Sequence, residues 1–204
     1  EIFAIHNACP DVELECFVHG ALCVSYSGQC YASHYCFGRS ANRGECAQFC
    51  RLPFSVTDSD GNLLLKEKYP LSLKDMNRIG QLEKLLDAGV VSLKIEGRLK
   101  DITYVKNITA AYRQELDRVF KRRKEFVKSS AGFVQYTFSP QPDRSFNRGF
   151  TDYMLNGSKS DIWSVDTPKA VGEPMGRIRI CGRNWLTITG RKEYHNGDGL
   201  CFFT

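Results

Sequence analysis

Long apolar runs are missing from this chain. No stretch in its 204 residues approaches the ~20 consecutive apolar residues a membrane-spanning helix needs, so no membrane partner is expected. The opening, EIFAIHNACPDVELECFV, carries no signal-peptide pattern. There is no CxxC pair, the spacing from which zinc ligands usually come. A GxSxG elbow, an HExxH helix, a phosphate-cradling glycine loop and internal repeats are absent too. An even cysteine count is also lacking. Nine thiols cannot all pair, which argues against a secreted disulfide scaffold. It favours a reducing, cytoplasmic setting, where clustered cysteines bind metal or do redox chemistry.

What is present suffices for a folded core: 42% hydrophobic and 12% aromatic residues, in a length suited to one or two domains. The net charge of +5 permits an anionic partner such as RNA, although many proteins of other function carry as much. Ile2, Phe3, Ile5 and Ala8 mark the end of an amphipathic helix. With no initiator methionine, the chain is expected to be part of something longer. Leu14, Cys16 and Val18 alternate with Glu15, Phe17 and His19, which predicts a strand ending at Gly20. FSVTDSDGNLLL predicts a hairpin turning at Asp60-Gly61. Ser72 and Asp75 resemble a helix start. Met76, Ile79, Leu82, Leu85 and Leu86 extend that predicted helix to a stop at Gly89. VVSLKIEGR predicts another strand. Asp101 caps a further helix built on Ile102, Val105, Ile108, Tyr112, Leu116 and Val119. Strands alternating with helices suggest a parallel α/β sheet, open or closed into a barrel. The expected organisation is an incomplete barrel over 1–138 with a cysteine-rich insert at 20–51, a linker at 139–149, and a small β domain over 150–204, with turns at Asn196-Gly197 and Asp198-Gly199.

Five of the cysteines lie within HGALCVSYSGQCYASHYCFGRSANRGECAQFCR, residues 19–51. Cys16 and Cys201 read as packing residues. The clustered thiols sit among Gly, Ser, Asn, Gln and Arg, which fits packing poorly. Spacing alone leaves an iron–sulfur site, zinc and no metal all open. Arg39, Arg43 and Arg51 would offset thiolate charge and offer N–H donors to sulfur, or face phosphate.

His19, Glu96 and Arg98 fall at the C-terminal ends of predicted strands, where a parallel barrel places its chemistry. The alternative is structural: an ion pair within the barrel, of Glu96 with Lys94 or Arg98. Arg118, Lys121, Arg122, Arg123, Lys124 and Lys128 end a helix. Cations there suit the helix dipole, with RNA contact as the alternative.

ELECFVHGALCVSYSGQCYAS, RSANRGECAQFCR and LKIEGRLKD together resemble the U32, or collagenase-like, peptidase family. YVKNITAAYR, SFNRGFTDYML and HNGDGLCFF are similar to its branch that hydroxylates 23S ribosomal RNA to 5-hydroxycytidine. This resemblance implies the C-terminal part of a TIM-like barrel, truncated at its N-terminus and followed by extra β structure. A chain lacking half the barrel wall is expected to self-associate at its open edge. The resemblance further implies a 4Fe-4S cluster on Cys23, Cys30, Cys46 and Cys50, leaving Cys36 as a spare thiol, and prephenate as a co-substrate. The expected activity is hydroxylation of a cytidine in ribosomal RNA or its precursor, with His19, Glu96 and Arg98 lining the site. The rival expectations are a peptidase acting on a peptide substrate and a non-catalytic RNA-binding module.

Overall fold

The expected strand-and-helix alternation is realised in a mixed sheet. The structure, a computed structural model, describes residues 1–157, 161–190 and 192–202. The chain opens with α1 (Ile2–Ala8), followed by β1 (Leu14–Ala21). The cysteine-rich segment is not wholly irregular, since it contains the short helix α2 (Ala32–Phe37) between single 3₁₀ turns. The expected hairpin forms from β2 (Phe54–Thr57) and β3 (Leu63–Lys68). Its turn is held by Asp58, whose Oδ1 accepts the N–H groups of Asp60 at 3.0 Å and Asn62 at 2.8 Å. Then come β4 (Asp75–Asn77), α3 (Leu82–Asp87), β5 (Val90–Ile95), α4 (Ile102–Arg122), β6 (Phe150–Thr151), β7 (Arg177–Cys181) and β8 (Leu186–Thr189).

The main sheet has the order β5-β1-β4-β6. β1 runs parallel to β5 and antiparallel to β4, while β4 runs parallel to β6. A barrel wall of uniformly parallel strands is therefore not what the described residues form; they make an α/β fold with an open, mixed sheet. The core lies where α3 and α4 cover β1 and β5. Val18, Leu82, Leu85, Val90, Tyr104, Ile108 and Tyr112 pack there, flanked by Ile2, Cys16, Leu93, Ile95 and Leu116. α4 starts as its sequence predicts, because Asp101 Oδ1 accepts the Tyr104 N–H at 2.7 Å.

The helix expected from Ser72 to Gly89 is not formed as such. Asp75–Asn77 is a strand, Ile79–Gln81 a 3₁₀ turn, and only Leu82–Asp87 is α-helical. Lys74 N–H donates to Ile162 O and Asp75 N–H to Gly149 O, each at 2.9 Å. These distant partners hold the backbone extended where local periodicity favours helix. The stop at Gly89 does form. Its φ is +91°, and a Cβ there would come within 2.3 Å of the His6 ring, so glycine serves both the reversal and the approach of α1.

Residues 139–149 are packed against the fold. Asn107 exchanges hydrogen bonds with the Gln141 backbone, both at 2.8 Å. Asn147 and Arg148 are buried, and β6 enters the main sheet directly after them. Beyond β6, the described part of 150–204 contributes a single two-stranded hairpin, β7–β8, turning through Gly182–Trp185. The turns at Asn196-Gly197 and Asp198-Gly199 join no described strands. Residues 158–160, 191 and 203–204 of that expected domain lie outside the described residues.

Candidate active site

β1 delivers His19 into the interior, where it is 1% exposed. The rings of Tyr104, Tyr112 and Phe150 surround it at centroid distances of 6.2, 5.5 and 5.4 Å. Hydrogen-bond partners fix its tautomer. The Tyr112 hydroxyl donates to Val18 O at 2.7 Å and accepts the Arg78 N–H at 3.1 Å. It stands 3.3 Å from His19 Nδ1. With its proton committed to Val18, the hydroxyl can only accept from the ring, so Nδ1 carries the hydrogen and Nε2 a bare lone pair. Nε2 is buried with no partner among the described residues. Burial lowers the His19 pKa to about 4, so the imidazole is neutral near pH 7.

The end of β1 is pressed against the residue that follows β5. Glu96 N–H donates to His19 O at 2.8 Å. Gly20 has φ +111°, and a Cβ there would fall 2.4 Å from Glu96 O. Glu96 Oε1 accepts the Arg98 N–H at 2.7 Å, and the Arg98 guanidinium donates to Gly44 O. His19, Glu96 and Arg98 are thus neighbours through the backbone, and Arg98 ties the strand end to the cysteine-rich segment. Lys94 pairs with Glu15 at 3.0 Å, not with Glu96. Its charge and the Ser92 hydroxyl hold the Glu15 carboxyl below the usual range, the hydrogen bond from Ser92 being the larger cause.

Arg51 clamps the cysteine-rich segment to the sheet. Its Nη1 donates to Ser72 Oγ and Leu73 O, both at 2.7 Å, and its Nη2 to Leu22 O at 3.0 Å. This guanidinium is spent on protein acceptors, whereas Arg39 and Arg43 are exposed. Burial pushes the Cys50 thiol up, the adjacent Arg51 pulls it down, and the charges of Cys23 and Cys46 raise it further. Cys23, Cys46 and Cys50, three of the four expected ligands, therefore share one electrostatic neighbourhood. Gln48, in left-handed backbone with φ 56°, donates its N–H to Cys46 Sγ at 3.3 Å. All nine cysteines are free. Among the described residues, no group of three or more His, Cys, Asp or Glu side chains is placed to hold a metal ion.

Sequence reasoning missed a cationic cluster beside these groups. Asp75 and Arg148, 2% and 7% exposed, form a buried pair. Arg148 Nη1 reaches Oδ1 at 3.0 Å, and its backbone N–H reaches Oδ2 at 2.7 Å. Lys100 sits over the Phe146 ring, 3.2 Å from its centroid. Burial lowers its pKa first, then the charge of Arg148, with Arg51 also contributing. Asp75 faces these three cations, and Asp101 also acts on Lys100. A cleft of about 300 Å³ opens beside Lys100, Tyr104, Arg144 and Phe146. A larger groove of about 700 Å³ lies between Lys68, Lys74, Trp163 and Asp166 and contains none of the residues above. No local sequence signal marks Arg148, whose partner is 73 residues away.

The basic end of α4 is largely neutralised. Arg118 pairs with Glu115, Arg122 with Glu83, Arg123 with Asp87 and Glu125, and Lys128 with Asp117. No helix among the described residues is long and apolar enough to cross a membrane.

Known proteins are similar to this chain. The chain is 48% identical over 200 residues to the 23S rRNA 5-hydroxycytidine C2501 synthase of Escherichia coli (strain K12), covering 98% of this chain and 30% of that protein. It is 34% identical to tRNA hydroxylation protein P1 of Bacillus subtilis (strain 168), over 95% of this chain and 47% of that one. It is 37% identical to a collagenase of Porphyromonas gingivalis, over 75% of this chain and 41% of that one. The chain thus spans less than half the length of these relatives. No solved structure matches it significantly. The family model for peptidase family U32 matches residues 1–164, a span that holds the cysteine-rich segment, His19, Glu96 and Arg98. The chain belongs to peptidase family U32.

Proposed function

We propose that this chain is part of an RNA-modifying enzyme that hydroxylates a cytidine of 23S ribosomal RNA, in the cytoplasm. The observation that carries the reading is the 48% identity to a 5-hydroxycytidine synthase across nearly the whole chain. The site supports it chemically. Replacing a ring C–H by C–OH removes two electrons from the base, so the site needs an oxidising partner. Cys23, Cys30, Cys46 and Cys50 would hold a 4Fe-4S cluster. Their support is the donor set itself: free thiols, Arg51 beside Cys50, and a backbone N–H already directed at Cys46 sulfur. When bound, such a cluster supplies one-electron redox chemistry. Arg51 keeps the thiol-bearing loop on the sheet. His19, neutral and buried with a bare Nε2, stands behind the strand end that carries the loop. Glu96 orients Arg98 over the same loop. Prephenate, as a co-substrate, carries two carboxylates, and Lys100 at the cleft suits one of them.

In this reading β1 and β5, with α3 and α4, are two adjacent strand–helix units of a larger TIM-like barrel, and the free edge of β5 pairs with the remaining wall or with a second copy. Mass spectrometry of 23S rRNA from a strain lacking the gene tests the activity. Loss of 5-hydroxycytidine is expected, and an unchanged level refutes the hydroxylase. The collagenase relatives support a second reading as a peptidase. Burial weighs against the half-buried Cys50 as its nucleophile, because a raised thiol pKa depletes thiolate.

A further inference from the structure

The cysteine-rich segment is aromatic and carries no acidic residue up to Gly44, and Glu45, which follows, accepts the Ser40 N–H at 3.3 Å. No Asp or Glu occurs between Glu15 and Glu45. Tyr31 and Tyr35 are 70% and 91% exposed, and Tyr26 nearby is 91% exposed. Tyr31 is the N-cap of α2, and the Tyr35 N–H donates to Tyr31 O at 2.9 Å. Four residues apart, the two rings share one side of the helix.

The other side of α2 is anchored. Ser33 is buried, and its Oγ accepts the Ala47 N–H at 3.0 Å. Phe37 stacks toward Phe49, and Phe49 against Phe54, at centroid distances of 6.5 and 5.2 Å. Gly38, with φ 64°, ends the helix in left-handed backbone. The helix is thus held in place while its tyrosines cover nothing. Arg39 follows it directly and Arg43 lies in the next 3₁₀ turn. Both are exposed, with no ion pair among the described residues, in contrast to the neutralised end of α4.

Exposed rings followed by unpaired arginines are what binds single-stranded nucleic acid: rings stack on bases while cations follow the phosphates. We propose that Tyr31 and Tyr35 stack successive unpaired bases of single-stranded RNA, with Arg39 and Arg43 on its phosphates, so that the strand is held on the segment that carries the cysteines. This rests on the RNA substrate proposed above.

Fluorescence anisotropy of the 204-residue chain with a labelled, pyrimidine-rich single-stranded RNA tests it. Tyr35→Ala weakens binding about 10-fold, and Tyr31→Ala with Tyr35→Ala roughly 50-fold or more, whereas Tyr→Phe at both positions stays within about twofold. Arg39→Gln with Arg43→Gln lowers the slope of log affinity against log salt by about 1.4, two phosphates' worth for a single strand. Thermal melts confirm that each variant is folded. Wild type that binds RNA while the double Tyr→Ala variant binds equally overturns the surface and leaves the RNA reading standing. So does loss of binding through Arg177→Glu, Arg179→Glu and Arg183→Glu in the β7–β8 hairpin with the tyrosines indifferent. A wild-type dimer broken by Tyr→Ala assigns the face to a second copy and overturns it. Wild type that binds no RNA refutes the RNA reading itself.

Discussion

A neutral histidine enclosed by aromatic rings makes the fold sensitive to acid. Unfolded, His19 titrates near 6.5; folded, near 4. Between these values the unfolded chain takes up a proton that the folded one refuses, so its contribution is complete above about pH 6.5 and falls away as pH drops to 4. The loss reaches about 3 kcal/mol at most. His19→Phe should therefore flatten the fall in melting temperature between neutral pH and the acid side of that window, and an unchanged fall would show that other groups govern it. Asp75 contributes through its pairing with Arg148. Asp75→Ala leaves Arg148 buried without its carboxylate and should cost about 3–5 kcal/mol in urea denaturation. Combining it with Arg148→Met should recover part of that loss, because no buried charge is then stranded.

Among the elements, α4 shows how far local sequence reaches. Its cap at Asp101 and its recurrence of Ile108, Tyr112, Leu116 and Val119 are all within a few residues of one another, and the structure realises them. Asp101→Ala should cost about 1 kcal/mol in thermal melts, with Asp101→Asn retaining most of the cap. The stretch from Ser72 to Gly89 has an equally regular pattern, yet its first part is β4. What decides there is the binding of Lys74 and Asp75 to Ile162 and Gly149, contacts no window along the chain contains. The site divides on the same line. His19, Glu96, Arg98 and the cysteines announce themselves by residue type near strand ends. Lys100, Asp75 and Arg148 acquire meaning only when β6 brings position 148 beside β4. α2 was hidden for a different reason: its anchor is one serine and a chain of phenylalanines reaching into β2, with no repeating apolar face.

For the molecule as a whole, free thiols grade by exposure. Cys9, Cys23, Cys36, Cys46, Cys181 and Cys201 are exposed, while Cys16, Cys30 and Cys50 are half-buried. A thiol reagent should label the exposed set first. Anaerobic loading with iron and sulfide should protect Cys23, Cys30, Cys46 and Cys50 while leaving Cys36 reactive, read by mass spectrometry of the labelled peptides. Equal protection of Cys36, or none at all, would refute the proposed ligand set without any assay of activity. The cationic charge of the molecule is unevenly used as well. Most of the helix end is paired off, Arg51 and Arg148 are bound to protein acceptors, and Arg39 and Arg43 remain exposed on the cysteine-rich segment.

The pair between Asp75 and Arg148 also has a consequence in time. During synthesis the carboxylate leaves the ribosome 73 residues ahead of its partner, an interval of roughly 4–15 s at ordinary translation rates. Throughout it β4 can lie against β1, but its other edge is bare and Asp75 must stay hydrated. The sheet cannot close inward until Asn147, Arg148 and β6 have emerged. A ribosome that pauses between α4 and β6 would hold a nascent chain with an open strand edge beside a water-seeking charge, the state in which this protein is most exposed to chaperones and to aggregation.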